Sequence, residues 1–591
     1  MLGATSDMIS IGGNLWKIAP VDDRQAQLLQ ERCGISYILA KILSQRGVSW
    51  EDASVFLEPK IQSLMPNPSI LLDVEKAARR IADAVVNKQQ VAIIGDYDVD
   101  GATSSAVLRL FLEAVGLKPD VHIPEREEGY GPSKMAVDKF KAMGAELLIT
   151  TDCGTTAFEP LEYAVENGFD VIVIDHHEAE AKLPNVLAVV NPKRLDETNN
   201  CPYLKYMAAV GVVFMVVVAI NRELRQRGFY NENVKEPNLM QWLDLVALGT
   251  VCDVVPLNGL NRAFVRQGLK IMCNTQNVGL GALLEKGGLS SPPTAFHLGF
   301  VLGPRINAGG RVGDSSIAHK LLCEKNDYQA QILADKLNDF NAQRKDIENY
   351  VLLQAIEMLE GTPQEYPIAF VAGDDWHQGV IGIVAGKLKE RYNLPSFVMS
   401  IEDDEVKGSA RSIPQVDLGA LVMSAKEKGL LTKGGGHTMA AGFSLEKEKI
   451  EEFRTFAGQY VMERIGGEAI IPVLEIDAVL EVSGATKDLA KALESMEPFG
   501  AGNNEPKLML KNVKIIKSSL VGIGHVRCIL TSDNGGSIKG MAFRVGDNDV
   551  GKTMLNSKGE CFDVVGVLRR DTWNGRDEVQ FIIEDIRKIV R

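Results

Sequence analysis

Three aspartates at alternate positions ahead of a glycine, in DYDVDG at residues 96–101, are the first candidates for chemistry. That spacing opens a calcium loop of the EF-hand type, whose twelfth position must supply a closing carboxylate. Counting from Asp96, the twelfth residue is Val107, and VAII ahead of the loop reads as strand where a helix is required. The calcium reading fails on both counts. Other acids and imidazoles follow similar apolar runs: Asp152 after ELLIT, then Asp175, His176 and His177 after DVIVI, and Asp253 within LGTVCDVVPL. So many carboxylates at one place repel one another unless cations sit among them. Oxygen ligands with an imidazole suit Mn²⁺ or Mg²⁺ better than a thiolate-preferring ion. Two such ions ~3.5–4 Å apart are a recurrent device for phosphoester hydrolysis, activating water and stabilising charge on the transferred group.

To meet, these residues need a scaffold that brings distant strand ends together. VAIIGD, VHIP, ELLITTD and DVIVIDHH alternate with the helical patterns SSAVLRLFLEAVG (104–116), SKMAVDKFKAMG (133–144) and PLEYAVENG (160–168). Alternation of this kind predicts an α/β fold with a parallel sheet, whose functional groups gather beyond the carboxyl ends of the strands. A helix is expected over 74–87 ahead of the first strand. From Tyr328 to Glu360 the chain has almost no breakers, which predicts one helix of roughly 50 Å that can join two domains. A second, smaller α/β pattern begins at IAFVAG (368–373), and strand-like segments after residue 467 predict a small all-β barrel. The expected division is an N-terminal helical segment (1–60), a catalytic domain (61–326), a connecting helix (327–362), a second α/β domain (363–466) and a β domain (467–591).

The bulk composition sets limits. The chain has 591 residues, 45% hydrophobic and 24% charged, with a net charge of −14. That balance argues against a sequence-blind DNA coat, which would be basic, yet leaves room for a local basic groove. The eight cysteines show no CxxC spacing, so neither a zinc knuckle nor a disulfide framework is expected, and a reducing compartment is. MLGATSDMIS lacks the features of a secretory leader, and a cytoplasmic location follows as an expectation. The apolar run MAAVGVVFMVVVAI (207–220) is short of the ~20 residues that span a bilayer and is expected to be a core helix.

In order along the chain, DYDVDG, TTDCG, DHH and TVCDVVPL resemble the motifs of the DHH phosphoesterases. GPRINAGGR (303–311) and WHQGVIGIVAGKLKERY (376–392) narrow the resemblance to its RecJ branch of single-strand-specific 5′→3′ exonucleases. KGSARS (407–412), GGGHTMAAG (434–442) and EPFGAGNNEP (497–506) extend it through a second domain to the entry of an OB-fold. The resemblance implies that Asp98, Asp100, Asp152, His176 and Asp253 ligate two Mn²⁺ or Mg²⁺ ions, with Asp96 a further ligand or a supporting partner. It implies that His177 faces the scissile phosphate and that Asp175 orients an imidazole. It also implies that Arg305, Asn307, Arg311, Ser409 and Arg411 bind phosphate, including a 5′-terminal one. Gly435 and Gly436 of GGGH let a backbone approach phosphate closely, and His437 adds charge or a hydrogen bond there. As a bare pattern GGGH is equally a turn. Tyr130 in EEGYGPS is open to two readings, a base-stacking ring or a core aromatic. Cys153 and Ala410 depart from the family pattern, in which asparagine and glycine are common; at Cys153 this bears on the ligand surroundings or on oxidation.

The implied activity is metal-dependent degradation of single-stranded DNA from its 5′ end to mononucleotides, in repair and recombination. The implied partners are single-stranded DNA, a helicase and a single-strand-binding protein, with the chain a monomer away from membranes. The β domain offers Lys511, Lys514, Lys517, Arg569, Arg570, Trp573 and Arg576 for gripping a strand. Hydrolysis of short oligonucleotides or cyclic dinucleotides, and a non-catalytic replication scaffold, are the alternatives.

Overall fold

Runs such as VAIIG and LLITT carry apolar or small side chains on both faces, so they can serve only as strands covered on both sides. In the computed structural model, which describes residues 9–289, 291–361, 365–466, 470–557, 559–571 and 577–589, they form one five-stranded parallel sheet. Its strands are β1 (Val91–Gly95), β2 (Asp120–His122), β3 (Leu147–Thr151), β4 (Asp170–Ile174) and β5 (Ala188–Val190), in the order β2-β1-β3-β4-β5. Gly95 lies opposite Thr151, Thr151 opposite Ile174, and Ile174 opposite Val190. The next residue on each strand is therefore Asp96, Asp152, Asp175 and Asn191, a row along the carboxyl edge. Pairing continues past the strands, with Asp152 N donating to Ile174 O (3.0 Å) and Asp175 N to Val190 O (3.0 Å).

Helices α1 (Val74–Asn87), α2 (Val99–Ala114), α3 (Ala209–Gln226) and α4 (Leu243–Cys252) belong to the same domain. α1 spans the 74–87 segment expected from sequence. α2 starts five residues before the expected 104, because Asp98 acts as its N-cap and accepts from Gly101 N at 3.0 Å. Asp98 thus closes a helix start, and Asp100 sits in the first turn. α3 takes up the apolar run and buries almost all of its first three turns. Among the described residues, no helix is long and apolar enough to cross a membrane.

After α5 (Gly303–Val312), the breaker-free segment is a single 35-residue helix, α6 (Asp327–Gly361). On one side of α6, Asn338 accepts from Arg305 of α5 at 3.2 Å. On the other, Val351, Ala355 and Leu359 share a core with Val371, Trp376 and Val384 of the second domain. That domain has a mixed sheet of β6 (Ala369–Asp374), β7 (Ser396–Glu402), β8 (Glu405–Arg411), β9 (Lys433–His437) and β10 (Ala440–Glu446), in the order β9-β10-β8-β7-β6, together with α7 (Gln378–Tyr392). GGGH is neither a turn nor a loop but part of the edge strand β9, paired antiparallel with β10 through Gly436 opposite Ala441. A Cβ at Gly436 would meet Ala440 O at 2.4 Å, so close pairing itself requires glycine there.

The C-terminal β domain closes into a five-stranded barrel of β12 (Leu508–Val521), β13 (His525–Ser532), β14 (Ser537–Ala542), β15 (Cys561–Asp571) and β16 (Glu578–Lys588), with β11 (Ala478–Leu480) beside β12. The N-terminal segment is not purely helical. Leu15–Ile18 forms a strand paired in parallel with Val473–Ile476, a pairing across more than 450 residues that no local pattern announces. Its helices share a core with the barrel: Leu29, Leu39, Ile42 and Leu43 pack with Leu489, Leu493, Phe562 and Phe581. The chain accordingly forms two compact units, one of Asn67–Asp253 with Gly268–Ile470, the other of the segment up to Pro66, Val254–Gln267 and Ile471 onward.

Candidate active site

The row at the sheet edge explains why these carboxylates meet: parallel register lines up strand ends that lie about 95 residues apart in the chain. Asp96, Asp100, Asp152 and Asp175 are each at most 4% exposed. Three groups of ligand atoms lie within 4.8 Å of one another: Asp96, Asp98 and Asp152; Asp152, His176 and His177; and Asp100, His176 and Asp253. Asp152 and His176 each belong to two of the groups, so all six expected ligands and His177 form one continuous cluster. Asp253 arrives from the C-terminal end of α4. Asp152 adopts a left-handed backbone (φ 60°), a conformation uncommon for a non-glycine residue and often found at functional sites.

The electrostatics show what the cluster lacks. Burial, reinforced by Asp98, pushes the carboxyl of Asp96 up to about 7, and the same causes act on Asp100, also to about 7. Burial with Asp100 and Asp98 nearby pushes Asp253 up to about 9, and burial amid four acids raises Asp152 well above the carboxylate range. Asp96 Oδ1, Asp152 Oδ1 and Asp253 Oδ2 are buried with no hydrogen-bond donor. Buried acceptors without donors are costly. A set of hard oxygen atoms with orphaned lone pairs fits divalent cations, which supply the missing positive charge.

The two histidines are set differently. His176 Nδ1 bonds Met207 O at 3.0 Å, leaving Nε2 toward Asp152 (3.3 Å) and Asp100 (3.8 Å). Burial and the neighbouring His177 lower His176 to about 4, so it is a neutral imidazole with a free lone pair, the form that ligates metal. His177 is half exposed and its Nδ1 lies 2.7 Å from Asp175 Oδ1. Burial works against its charge, but the hydrogen bond and charge of Asp175 outweigh burial and raise it. Asp175 is held well below the carboxylate range despite burial, because His177 and Thr155 donate to it. It also accepts from His176 N (2.7 Å) and His177 N (3.2 Å), fixing the backbone of both histidines.

Several supporting groups escape a sequence reading. Both oxygens of Asp100 accept from the start of α3, at Ala209 N (2.6 Å) and Val210 N (2.9 Å). Asn191 completes the edge row and donates to Thr155 Oγ1 and to His177 O, both at 2.9 Å. Only the register of β5 could have singled it out. Tyr130 is not a core aromatic: half exposed, its hydroxyl donates to Asp152 O at 2.8 Å and its ring meets His177 edge-on. Cys153 is fully buried and burial pushes its thiol up, which disfavours the reactive thiolate.

The expected phosphate-binding residues divide. Arg311 donates to Gly379 O (2.8 Å) at the start of α7, and burial together with Arg126, Arg344 and Arg411 lowers it to about 10. Four arginines thus act on one place; Arg344 is already paired with Glu348, and the positive charge of the others is one that anions relieve. Arg411 bonds Ser409 Oγ at 3.2 Å. Arg126, whose guanidinium lies 4.7 Å from the Tyr97 ring, and Arg344 of α6 were not among the expected residues. Arg305 instead donates to Val301 O (2.7 Å) and Asn338, which places it in the α5–α6 packing, and Asn307 lies on the same helix. Gly435, Gly436 and His437 stand on the exposed strand β9, and none of the three Asp–His groups includes His437. In the barrel, Arg569 pairs with Glu505, Arg570 with Glu494 and Asp577, and Lys514 with Asp533, so these cations already have partners. Lys511 and Lys517 are exposed, and Trp573 and Arg576 lie outside the described residues.

Comparisons with known proteins agree over most of the chain. The model of the DHH family N-terminal domain matches residues 90–250, that of the DHHA1 domain 364–463, and that of the RecJ OB domain 476–585. The single-stranded-DNA-specific exonuclease RecJ of Escherichia coli is 34% identical over 93% of this chain and 95% of its own length. RecJ of Bacillus subtilis is 32% identical over 96% of this chain and 70% of its own. The crystal structure of Thermus thermophilus RecJ in complex with Mn²⁺ superposes with a TM-score of 0.80 at 26% identity, covering 98% of this chain and 80% of that one. With a shared fold, shared domain order and this level of identity, the chain belongs to the RecJ family of exonucleases.

Proposed function

We propose that this chain is a metal-dependent exonuclease that degrades single-stranded DNA from its 5′ end to mononucleotides, in repair and recombination. The observation that supports it best is the continuous Asp–His cluster with its orphaned carboxylate oxygens, in a chain aligned end to end with single-strand-specific exonucleases. Asp98, Asp100, Asp152, His176 and Asp253, with Asp96, would hold two divalent ions, Mn²⁺ or Mg²⁺. When bound, the ions supply water activation and charge neutralisation at the scissile phosphate.

The chain's own residues do the rest. His177, whose proton affinity Asp175 raises, offers a proton or a positive charge to the phosphate, and Tyr130 limits how its ring can turn. Asp100, anchored by two backbone donors of α3, keeps its place when its neighbours ionise. Arg311, Arg411 and Ser409 receive the 5′-terminal phosphate, with Arg126 and Arg344 adding to the field; Arg305, Asn307, Gly435, Gly436 and His437 act farther along the strand. The catalytic domain is taken as 61–326, the connecting helix as 327–362 and the second domain as 363–466. The OB domain, 467–591, retains the strand. A cytoplasmic location, a monomeric state, and work beside a helicase and a single-strand-binding protein complete the reading.

The test is digestion of 5′-end-labelled single strands with Mn²⁺, beside duplex and dinucleotide. Label appearing as mononucleotide from the single strand ahead of both supports the reading. Preference for the dinucleotide would replace it with a small-substrate phosphodiesterase, and no hydrolysis with a scaffold.

A further inference from the structure

Between β5 and α3 the chain forms an irregular stretch, residues 191–207, that the mechanism above uses only at its two ends. Asn191 donates to the carbonyl of His177, and the carbonyl of Met207 receives Nδ1 of His176. The stretch is thus pinned to both histidines of the site. Between those pins lies a concavity of ≈ 500 Å³, lined by Glu178, Lys193, Lys205 and Tyr206 among others. That volume lies within the ~300–1,000 Å³ range of ligand sites. Arg194 and Glu197 in its wall are engaged in structure: Arg194 binds Asp73 and Val189 O, and Glu197 receives Leu72 N. Lys193 and Lys205 differ. The ammonium of Lys193 pairs with the exposed Glu178, a surface pair worth little. Lys205 lies 4.9 Å over the Tyr206 ring, which is 41% exposed. Two ammonium groups and an accessible aromatic face are what a nucleotide needs, charge for phosphate and a ring for the base.

The position of the concavity gives it a polarity. Arg126 lies over the ring of Tyr97, next to Asp96, and donates to the carbonyl of Gly310, next to Arg311. His176 reaches both Met207 O at the end of the stretch (3.0 Å) and Asp253 (3.5 Å). The arginines thus border the Asp96 end of the cluster, and the concavity its Asp253 end. On the exonuclease reading, a 5′-terminal nucleotide held by Arg311 and Arg411 would place its 3′ phosphodiester over the cluster, and the next nucleotide would then extend past Asp253.

Resting on the exonuclease reading, we propose that this concavity is a subsite for the nucleotide on the 3′ side of the cut, with Lys193 and Lys205 contacting its phosphate and Tyr206 its base. It is a binding subsite on the retained strand, separate from the pocket that takes the departing mononucleotide.

The test uses the full chain with Mn²⁺ and 5′-phosphorylated oligodeoxynucleotides. Lys193→Met, Lys205→Gln and Tyr206→Ala should each raise KM about tenfold for a 20-nucleotide single strand, with a smaller effect on kcat. Inhibition by a deoxynucleoside 5′-monophosphate should be unchanged in all three. Lys205→Gln alters an exposed side chain and keeps the experiment readable should another variant misfold. Wild-type KM in the Lys205 and Tyr206 variants would overturn the inference, and so would weakened monophosphate inhibition, which would make the concavity the product pocket. A parent chain that releases no mononucleotides would instead overturn the exonuclease reading.

Discussion

Asp175 and His177 each favour the charged form of the other, and the chemistry of the pair is testable one residue at a time. Asp175→Asn removes the negative charge that helps raise His177. The alkaline limb of the kcat profile should then move to lower pH, with kcat reduced on the order of 10²-fold, the scale of proton-transfer contributions. An unshifted limb would assign it to another group. Asp152 is central because two ligand groups share it. Asp152→Asn should abolish hydrolysis while the chain stays folded, with a melting temperature in EDTA at or above that of the parent, since a buried repulsive carboxylate is gone. Retained nuclease activity would remove Asp152 from the site. DYDVDG illustrates what a residue pattern conveys: the loop was recognisable as a ligand source, but the distinct duties of its aspartates were not. Asp98 caps α2, Asp100 is held by the start of α3, and Asp96 has a buried oxygen without a donor.

At the scale of elements, the turn from β1 into α2 depends on Gly101. A Cβ there would meet Asp96 O at 2.4 Å and Asp96 N at 2.6 Å, backbone atoms that cannot yield without moving the Asp96 carboxylate. Gly101→Ala should cost about 1–3 kcal/mol, as overpacking does, and should weaken the stabilisation that Mn²⁺ gives in thermal denaturation. Gly386→Ala on α7 is the control: nothing stands within 4 Å of the added methyl, and helix propensity favours the change by up to about 1 kcal/mol. Equal effects of the two substitutions would contradict the close approach at Gly101. GGGH makes the complementary point. Three glycines and a histidine read as a turn locally, yet pairing with β10 makes them an edge strand, and only that pairing distinguishes the two.

For the whole molecule, the cluster sets the pH dependence of the metal-free chain. Asp96 and Asp100 keep their protons up to about 7, and Asp253 up to about 9, where the unfolded chain releases them near 4. Between those limits the folded state binds more protons, so this contribution is full below about pH 4 and is lost as pH rises through 7 and 9. Urea denaturation in EDTA should show stability falling from pH 5 to pH 9, and saturating Mn²⁺ should flatten the decline. An unchanged slope with Mn²⁺ would mean that cations do not occupy the cluster. The second unit has its own test. Arg262 is buried and donates to the carbonyls of Phe56, Met496, Glu497 and Pro498, and the N-terminal helices complete the barrel's core. Deleting 471–591 should therefore expose the apolar faces of Leu29, Leu39 and Leu43 and produce an aggregating chain by light scattering. A monodisperse truncation would show that the N-terminal helices stand alone.

The order of strands and helices, the parallel sheet, the single long helix and the identity of the Asp–His set were all legible in the chain itself. Hydrophobic period and turn residues act locally, and the acids follow their strands directly in sequence. What only the tertiary structure decided depends on register and on distant pairing. The row that adds Asn191 to three aspartates comes from strand alignment, and the separate charge states of His176 and His177 come from burial and from which acceptor each one faces. The union of Leu15–Ile18 with Val473–Ile476, the meeting of Arg126 and Arg344 with Arg311 and Arg411, and the concavity pinned to both histidines all join residues far apart in the chain. Local pattern carries no information about such contacts, because the burial and backbone pairing that fix them exist only once the chain has closed on itself.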